Sequence, residues 1–502
     1  MRAKLIQLFS STKKWDWSEL LFFILLAVVA FYSLFYHLGD APLAMWDEAR
    51  YANNAIDMLE NPHPFKVEHM GQPDRFNTKP ALVIAMQAFC MHLFGINTFS
   101  VRLPSALFGL LTLLLVYAFA QRFFQHRFSG WLAVAILLCS PGFMGEHVVR
   151  TGDLDAVLVF WLLLGLFTAV SLWVHRPKNT LNHYVLLGIS VVAGFLTKGI
   201  AGFFFLPFLF LIPLFLGRWV FLRDKNLYLS GLAVLLVCGS YYAMRNYFMP
   251  GYIDLVFKYE LARYTQEVMN WQVHPFLWYV EQMSAVRFYP FMYLLPFTLA
   301  GMYFFKGAQQ LAFGSLLITG LGYLLLISYP GVKLLWYDAP LYPVFALLIA
   351  LSFGVLFERL FNHWKVPKAR LLLYIIALLL LIQPYRRTTD SLNKVDALVY
   401  NLTAEGVYLR QLRTERPGLK QISIYKVETD PAHYDQLLFY IRRYQKEEGC
   451  TFRLTQQAAF KTGEIVMICK EADRQRLALL YPLITIHRTA YGAIYLVGEK
   501  QP

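Results

Sequence analysis

Asp47 and Glu48 stand side by side a few residues after the first long apolar run, and Asp153 and Asp155 sit two apart at the head of a later one. A carboxylate so placed can take the proton of a hydroxyl and turn a poor nucleophile into a usable one. Lys79, Lys198, Arg263, Lys333 and Arg50 are the cations found in comparable places, in separate loops. Fixed positive groups stabilise oxygen on which negative charge grows, and Arg adds a planar fork that Lys lacks. Charge at the rim of a membrane span is expensive and usually functional. Each residue also has a plainer use: an acid at a helix N-terminus complements the dipole, and Lys or Arg beside lipid reaches for headgroups.

These residues must be positioned by a membrane-embedded scaffold. The 502 residues are 57% hydrophobic and 17% aromatic, with a mean hydropathy of +0.44, above the composition of a soluble domain. Apolar runs of about 20 residues, enough to cross the hydrocarbon, recur between Leu20 and Pro384. We count about eleven crossings, with thirteen as the upper bound: 18–38, 99–121, 131–148, 155–174, 181–197, 200–217, 227–247, 288–305, 310–328, 336–357 and 370–385. The first run lacks a small-residue cleavage site and reads as an uncleaved span. The apolar stretch Pro80 to Phe94 would reach only about 22 Å as a helix, so it is assigned to the interface. That choice gathers sixteen basic residues into short loops on one side, which the positive-inside rule places in the cytoplasm. Asp47, Lys79, Asp155, Lys198, Arg263 and Lys333 then share the outer face.

In the first outer loop, Tyr51, Ala52, Ala55, Ile56 and Leu59 repeat at helical spacing until Asn61-Pro62. The spacing predicts an amphipathic helix lying along the membrane, with the Asp47-Glu48 pair at its head.

The motifs in and after this loop resemble those of the membrane glycosyltransferases of the GT-C class. The similarity is to the branch that holds protein O-mannosyltransferases and lipid A aminoarabinose transferases. The Asp47-Glu48 pair is similar to the signature that follows the first span in that class. Phe76-Asn77-Thr78-Lys79-Pro80 resembles the branch's Lys-Pro motif, Val101-Arg102-Leu103-Pro104-Ser105 its Arg-Leu-Pro-Ser motif, and Arg150-Thr151-Gly152-Asp153-Leu154-Asp155 its Arg-to-Asp motif. Thr197-Lys198-Gly199 resembles the Thr-Lys-Gly turn; Arg263-Tyr264, Pro275-Phe276 and Tyr279, then Lys333-Leu334, Trp336-Tyr337 and Tyr342-Pro343 resemble later motifs. Each is weak alone; their order over about 300 residues carries the assignment.

The resemblance implies a polytopic α-helical GT-C fold and an inverting transfer of a sugar from a polyprenyl phosphate, undecaprenyl-type, to an extracytoplasmic acceptor such as lipid A, another glycan or protein. It implies a bacterial inner-membrane location with the active site on the periplasmic face. Asp47, Glu48 and Asp155 are the expected catalytic group, with Asp47 as the base. Lys79, Arg263, Lys198, Lys333 and Arg50 are expected at the donor phosphate, and Tyr51, Asp153 and Tyr337 in the sugar or acceptor pocket. Arg102 and Arg150 serve equally well as anchors of span ends, and Tyr residues as interfacial belts. Some relatives carry Glu before the Lys of the Lys-Pro motif and His shortly before the later Arg; here these places hold Thr78 and Leu261. No His or Cys set has zinc spacing, so no metal or other cofactor is expected.

The last part of the chain is different. From Tyr385 onward it holds 18 of the 46 Lys and Arg and no long apolar run. We divide the protein into a membrane part, 1–385, and a soluble part, 386–502. Strands at Ile422–Val427, Glu464–Cys469 and Ala493–Val497, with helices at Tyr434–Tyr444 and Ala472–Leu480, predict a small α/β domain. Cys450 and Cys469, its only cysteines, would be able to pair in an oxidising compartment. The net charge of +14 fits orientation and anionic lipid, and no nucleic-acid module is present. Two rival readings follow from the same charges: a lipid or glycan transporter, which matched halves would favour, and a membrane scaffold that does no chemistry.

Overall fold

The computed structural model describes residues 17–145, 147–175, 177–261, 272–363, 368–393 and 397–501. Its larger part is a helical bundle. Among the described residues, seven helices are long and apolar enough to cross a membrane: Thr98–Phe124, Asp155–His175, Leu181–Phe203, Lys225–Phe248, Gly307–Ser328, Leu341–Phe361 and Leu371–Leu392. Shorter apolar helices, Glu19–Phe35, Arg127–Leu138, Leu206–Phe215 and Phe291–Phe304, fall in the other four predicted spans. Leu82–Phe94 is the helix in the stretch assigned to the interface. The chain is thus a polytopic integral membrane protein.

We label the helices used below α1 (Trp17–Phe35), α2 (Asp47–Glu60), α3 (Leu82–Phe94), α4 (Thr98–Phe124), α5 (Arg127–Leu138), α6 (Asp155–His175), α7 (Leu181–Lys198) and α8 (Lys225–Phe248). The predicted span 131–148 stops early. Helix α5 ends at Leu138 because Ser140 precedes Pro141, which disfavours helical backbone at the residue before it, and a single turn, Pro141–Met144, follows. Residues 147–154 therefore form a loop at the head of α6. Pro290 and Pro296 similarly cut the predicted span 288–305 into short turns, Phe291–Leu294, Pro296–Ala300 and Gly301–Phe304.

The smaller part begins after two helices, Ala369–Asn393 and Ala397–Glu415 (α9 and α10). Helix α9 thus runs past Tyr385, and α10 is an element the sequence reading did not foresee. Five strands follow, Gln421–Tyr425 (β1), Thr451–Thr455 (β2), Ile465–Ile468 (β3), Leu483–Arg488 (β4) and Ala493–Val497 (β5), with helices Asp435–Glu448 (α11) and Glu471–Ala478 (α12). The sheet order is β2-β1-β3-β5-β4, parallel through β2, β1 and β3 and antiparallel at β3, β5 and β4. The small α/β domain is therefore present. Its two unpredicted strands, β2 and β4, are the sheet edges, where most side chains face water and the apolar alternation fades. Cys450 and Cys469 are both unpaired. They flank β2 and β3, which β1 separates.

The two parts meet on helix α2, the predicted amphipathic element. Its apolar stripe, Ala52, Ala55 and Ile56, shares one core with Ala81, Ile84 and Ala88 and with Tyr440, Ile441 and Tyr444 of α11. Its polar face is covered as well. Arg442 reaches both carboxylate oxygens of Asp57 at 3.2 and 2.9 Å, and Asn53 donates to the Asp435 carbonyl at 2.7 Å. The Tyr440 hydroxyl accepts the Leu43 N–H at 3.1 Å, and the Glu447 carboxylate accepts the Ile96 N–H at 2.6 Å. Instead of lying against lipid headgroups on one side, α2 is held between the bundle and the tail.

Candidate active site

Asp47 is the first residue of α2, launched by Trp46, a non-glycine residue at φ +61°. Such a conformation is sparsely populated and persists only when its surroundings fix it. Here Glu48 supplies the fixing. Its carboxylate receives Arg102 Nε at 2.7 Å and Nη2 at 2.9 Å, the Gly152 N–H at 2.7 Å and the Ala44 N–H at 2.6 Å. The rest of the Arg102 fork donates to the carbonyls of Leu38, Ala41 and Pro42, so all five N–H groups are used. A Cβ on Gly152 would lie 2.4 Å from Val101 and 3.2 Å from Glu48; only glycine lets the Arg-to-Asp loop come this close. Glu48 and Arg102 are therefore spent on locking the loops to each other, which leaves Asp47 as the acid of the pair that faces the site. Arg150 donates to the carbonyls of Ser33 and Tyr36 and anchors the end of α1.

The locked loop brings Asp153 and His147 against Asp47. His147 Nδ1 lies 3.2 Å from Asp153, and its ring stacks on Trp336 with centroids 3.8 Å apart. Burial, and then the charge of Asp153, pushes the Asp47 carboxyl above its usual range, while His147, Lys198 and Lys79 oppose the rise. Burial works against charge on His147 too, but Asp153 outweighs it and raises the imidazole to about 9. Asp153 is held below its usual range by that same imidazolium despite its burial. Asp47, His147 and Asp153 each offer one donor atom within 4.8 Å of the others, a set able to hold a cation. Tyr51, one turn along α2, is buried beside Asp47 and the same acids, which raise its phenol well above the ordinary value after burial has begun the shift.

Asp155 and Lys198 occupy the other wall. Lys198 Nζ donates to both oxygens of Asp155 at 2.6 Å. It is the last residue of α7, which ends there because Gly199 turns the chain at φ +60°, a conformation glycine adopts without penalty. Tyr337 lies beneath the same ammonium, 5.4 Å from ring centroid to Nζ. Lys79 completes the group, with Nζ 2.6 Å from a Glu260 oxygen that also accepts the Thr78 hydroxyl at 2.6 Å. Lys79, Asp155, Lys198, Glu260, Tyr323 and Tyr337 line one cavity whose remaining wall is apolar, with Leu158, Ile200 and Phe204. A floor of this kind suits an anion joined to hydrocarbon.

Not every expected cation arrives here. Arg50 is drawn to the tail side, where its fork meets Asp74 at 2.9 and 2.8 Å and Asp435 at 3.3 Å. Lys333 is buried and donates to the carbonyls of His274 and Pro330, tying two loops that also pair at Val273 and Val332. Asp74, Asp435 and His274 lie far away in sequence from the cations they hold, while Pro330 is three residues from Lys333. Arg263 lies outside the described residues. Conversely, His147 and Glu260 were not among the expected site residues. Their signal was proximity: His147 precedes the Arg150 motif by three residues and Glu260 precedes Arg263 by three.

Comparison with known proteins bears on this arrangement. Residues 78–242 match the family model described as dolichyl-phosphate-mannose-protein mannosyltransferase. An undecaprenyl phosphate-alpha-4-amino-4-deoxy-L-arabinose arabinosyl transferase of Wigglesworthia glossinidia brevipalpis is 29% identical over 40% of this chain and 35% of its own length. The protein of that name from Pseudomonas aeruginosa strain UCBPP-PA14 is 33% identical over 42% of this chain and 38% of its own. The chain thus matches little more than a third of the length of these curated relatives. The fold match is wider: the crystal structure of ArnT from Cupriavidus metallidurans bound to undecaprenyl phosphate superposes with a TM-score of 0.68 at 17% identity, covering 95% of this chain and 97% of that one. The chain thus shares the fold of ArnT over almost its whole length, and its site-bearing spans are similar in sequence to the mannosyltransferase family and to the arabinosyl transferases.

Proposed function

We propose that the protein is an inverting glycosyltransferase that moves a sugar from a polyprenyl phosphate of the undecaprenyl type to an acceptor outside the cytoplasm. The observation that carries this reading is a cavity at the ends of the spans where Lys79 and Lys198 meet an apolar wall, with the Asp47 carboxylate close enough to feel the charge of both lysines. The names of the aligned relatives agree with it. We place residues 1–385 as the catalytic membrane part in a bacterial inner membrane, with the cavity and residues 386–502 on the periplasmic face.

In this mechanism the prenyl tail lies against the apolar wall and the phosphate meets Lys79 and Lys198. Asp47 takes the proton from the acceptor hydroxyl as its oxygen attacks the anomeric carbon. The bond from that carbon to the phosphate oxygen breaks on the opposite face, and the polyprenyl phosphate leaves as an anion held by the lysines. One displacement inverts the configuration. Asp155 keeps Lys198 aimed, while Tyr51, Asp153 and Tyr337 line the sugar or acceptor side.

The test is mass spectrometry of lipid A, surface glycans and secreted proteins from cells lacking the protein, complemented with wild type. One fraction is expected to lose the mass of one sugar and regain it with wild type. No change in any fraction would favour a transporter or a scaffold.

A metal is not required in this scheme. Asp47 supplies the base, and Lys79 and Lys198 supply the positive charge at the phosphate. Chelator treatment of the purified protein is therefore expected to leave transfer unchanged. A loss restored by one divalent cation would instead assign the Asp47–His147–Asp153 set as a metal site.

A further inference from the structure

We propose that Glu260 is the internal counter-ion that the donor phosphate displaces, so that donor binding is an exchange of one anion for another at Thr78 and Lys79. The inference rests on the proposed function and concerns a residue to which neither motif nor comparison gives a role. The Glu260 carboxylate is buried and takes the Thr78 hydroxyl and the Lys79 ammonium on a single oxygen, each at 2.6 Å. One acceptor oxygen engaged by a hydroxyl and an ammonium is the pattern a phosphate oxygen would present. The carboxylate also lines the cavity that holds Lys198 and Tyr337, where the donor's head has to go.

The donors are fixed more firmly than the acceptor. Arg245 grips the carbonyls of Asn77 and Lys79, and the Tyr252 hydroxyl donates to the Thr78 carbonyl at 2.7 Å. The loop that presents Thr78 and Lys79 is thus pinned by its backbone. Glu260 instead projects from a single turn of π-helix, Phe257–Leu261, a form found mainly as an isolated turn and often at functional sites. When Glu260 leaves, both donors stay in place, Thr78 buried and Lys79 half-buried, each in need of an acceptor, and a phosphate oxygen satisfies them together. Departure of Glu260 also explains how an acid can sit in a phosphate site without excluding the substrate: the ion pair holds the empty site together and is traded for a stronger one.

The experiment measures the affinity of full-length protein in lipid nanodiscs for undecaprenyl phosphate, alongside thermal unfolding of each variant. Glu260→Gln keeps the shape and removes the competing charge, and is expected to tighten binding by about threefold or more. Glu260→Ala is the second form and is expected to act in the same direction. Thr78→Val, which removes a donor the phosphate would inherit, is expected to weaken binding in either background. Unchanged or weaker binding by both Glu260 variants, with wild type binding normally, would overturn the exchange and make Glu260 a brace for Lys79. Absence of binding by wild type and variants alike would overturn the donor assignment itself, and the exchange with it.

Discussion

Asp47→Asn is expected to lower sugar transfer by about 10²- to 10⁴-fold, the range of a lost general base, while leaving undecaprenyl phosphate binding and thermal stability at their wild-type values. The amide keeps the size of the side chain at the head of α2 and cannot accept the acceptor's proton. Because burial and Asp153 raise the Asp47 pKa, the active, ionised form is lost at a higher pH than for an ordinary carboxylate. The acid limb of the rate profile should therefore lie above about 3.9, the reference value for Asp, and activity should rise with pH through that limb. In Asp47→Asn the limb should vanish. The size of the defect also reports on the acceptor, since a phosphate acceptor is already ionised and needs no base. A full defect points to a hydroxyl, and a small one to a phosphate. Unaltered activity at every pH, with a hydroxyl acceptor identified, would remove Asp47 from the mechanism.

The neighbouring acid is expected to behave in the opposite way. Arg102→Ala should destabilise the protein by about 3–5 kcal/mol, because removal of one member of a buried ion pair leaves the other charge uncompensated. Glu48 would lose both guanidinium bonds, and the carbonyls of Leu38, Ala41 and Pro42 would lose their donor. Thermal unfolding in detergent reads the loss directly. The double variant Glu48→Leu/Arg102→Leu removes the stranded charge but orphans the N–H groups of Ala44 and Gly152, so it should recover only part of the stability. A single variant as stable as wild type would show the pair to be dispensable, and Glu48 would then be free for a role nearer the chemistry. Adjacent carboxylates thus separate cleanly, one failing in rate and the other in folding.

Much of this site was legible in the sequence, for a physical reason. Asp47, Lys79, Asp155 and Lys198 each sit at the end of an apolar segment, and burying the segments brings their ends together. The signal fails where a partner lies far along the chain. Arg50 could serve a donor phosphate or pair with an acid of its own helix, yet Asp74 and Asp435, from outside that helix, fill its fork. Lys333 looked like a rim cation, yet backbone carbonyls claim it. Glu260 escaped notice because a histidine was sought beside it, at Leu261, while the carboxylate that some relatives carry at Thr78 arrives here from the other loop. Among the elements, apolarity alone marked 131–148 and 288–305 as crossings, whereas Pro141, Pro290 and Pro296 break the helices. The α/β tail was readable from its central strands, and its edges were not.

The covering of α2 by α11 has an evolutionary price. Asp435, Gln436, Tyr440 and Arg442 of the tail hold the loop and helix that carry Asp47, so neither partner can drift in sequence without the other. A chimaera that borrowed its tail from a distant homologue would inherit mismatched charges over the catalytic helix, and transplanted tails should work only when the facing surface of α2 travels with them.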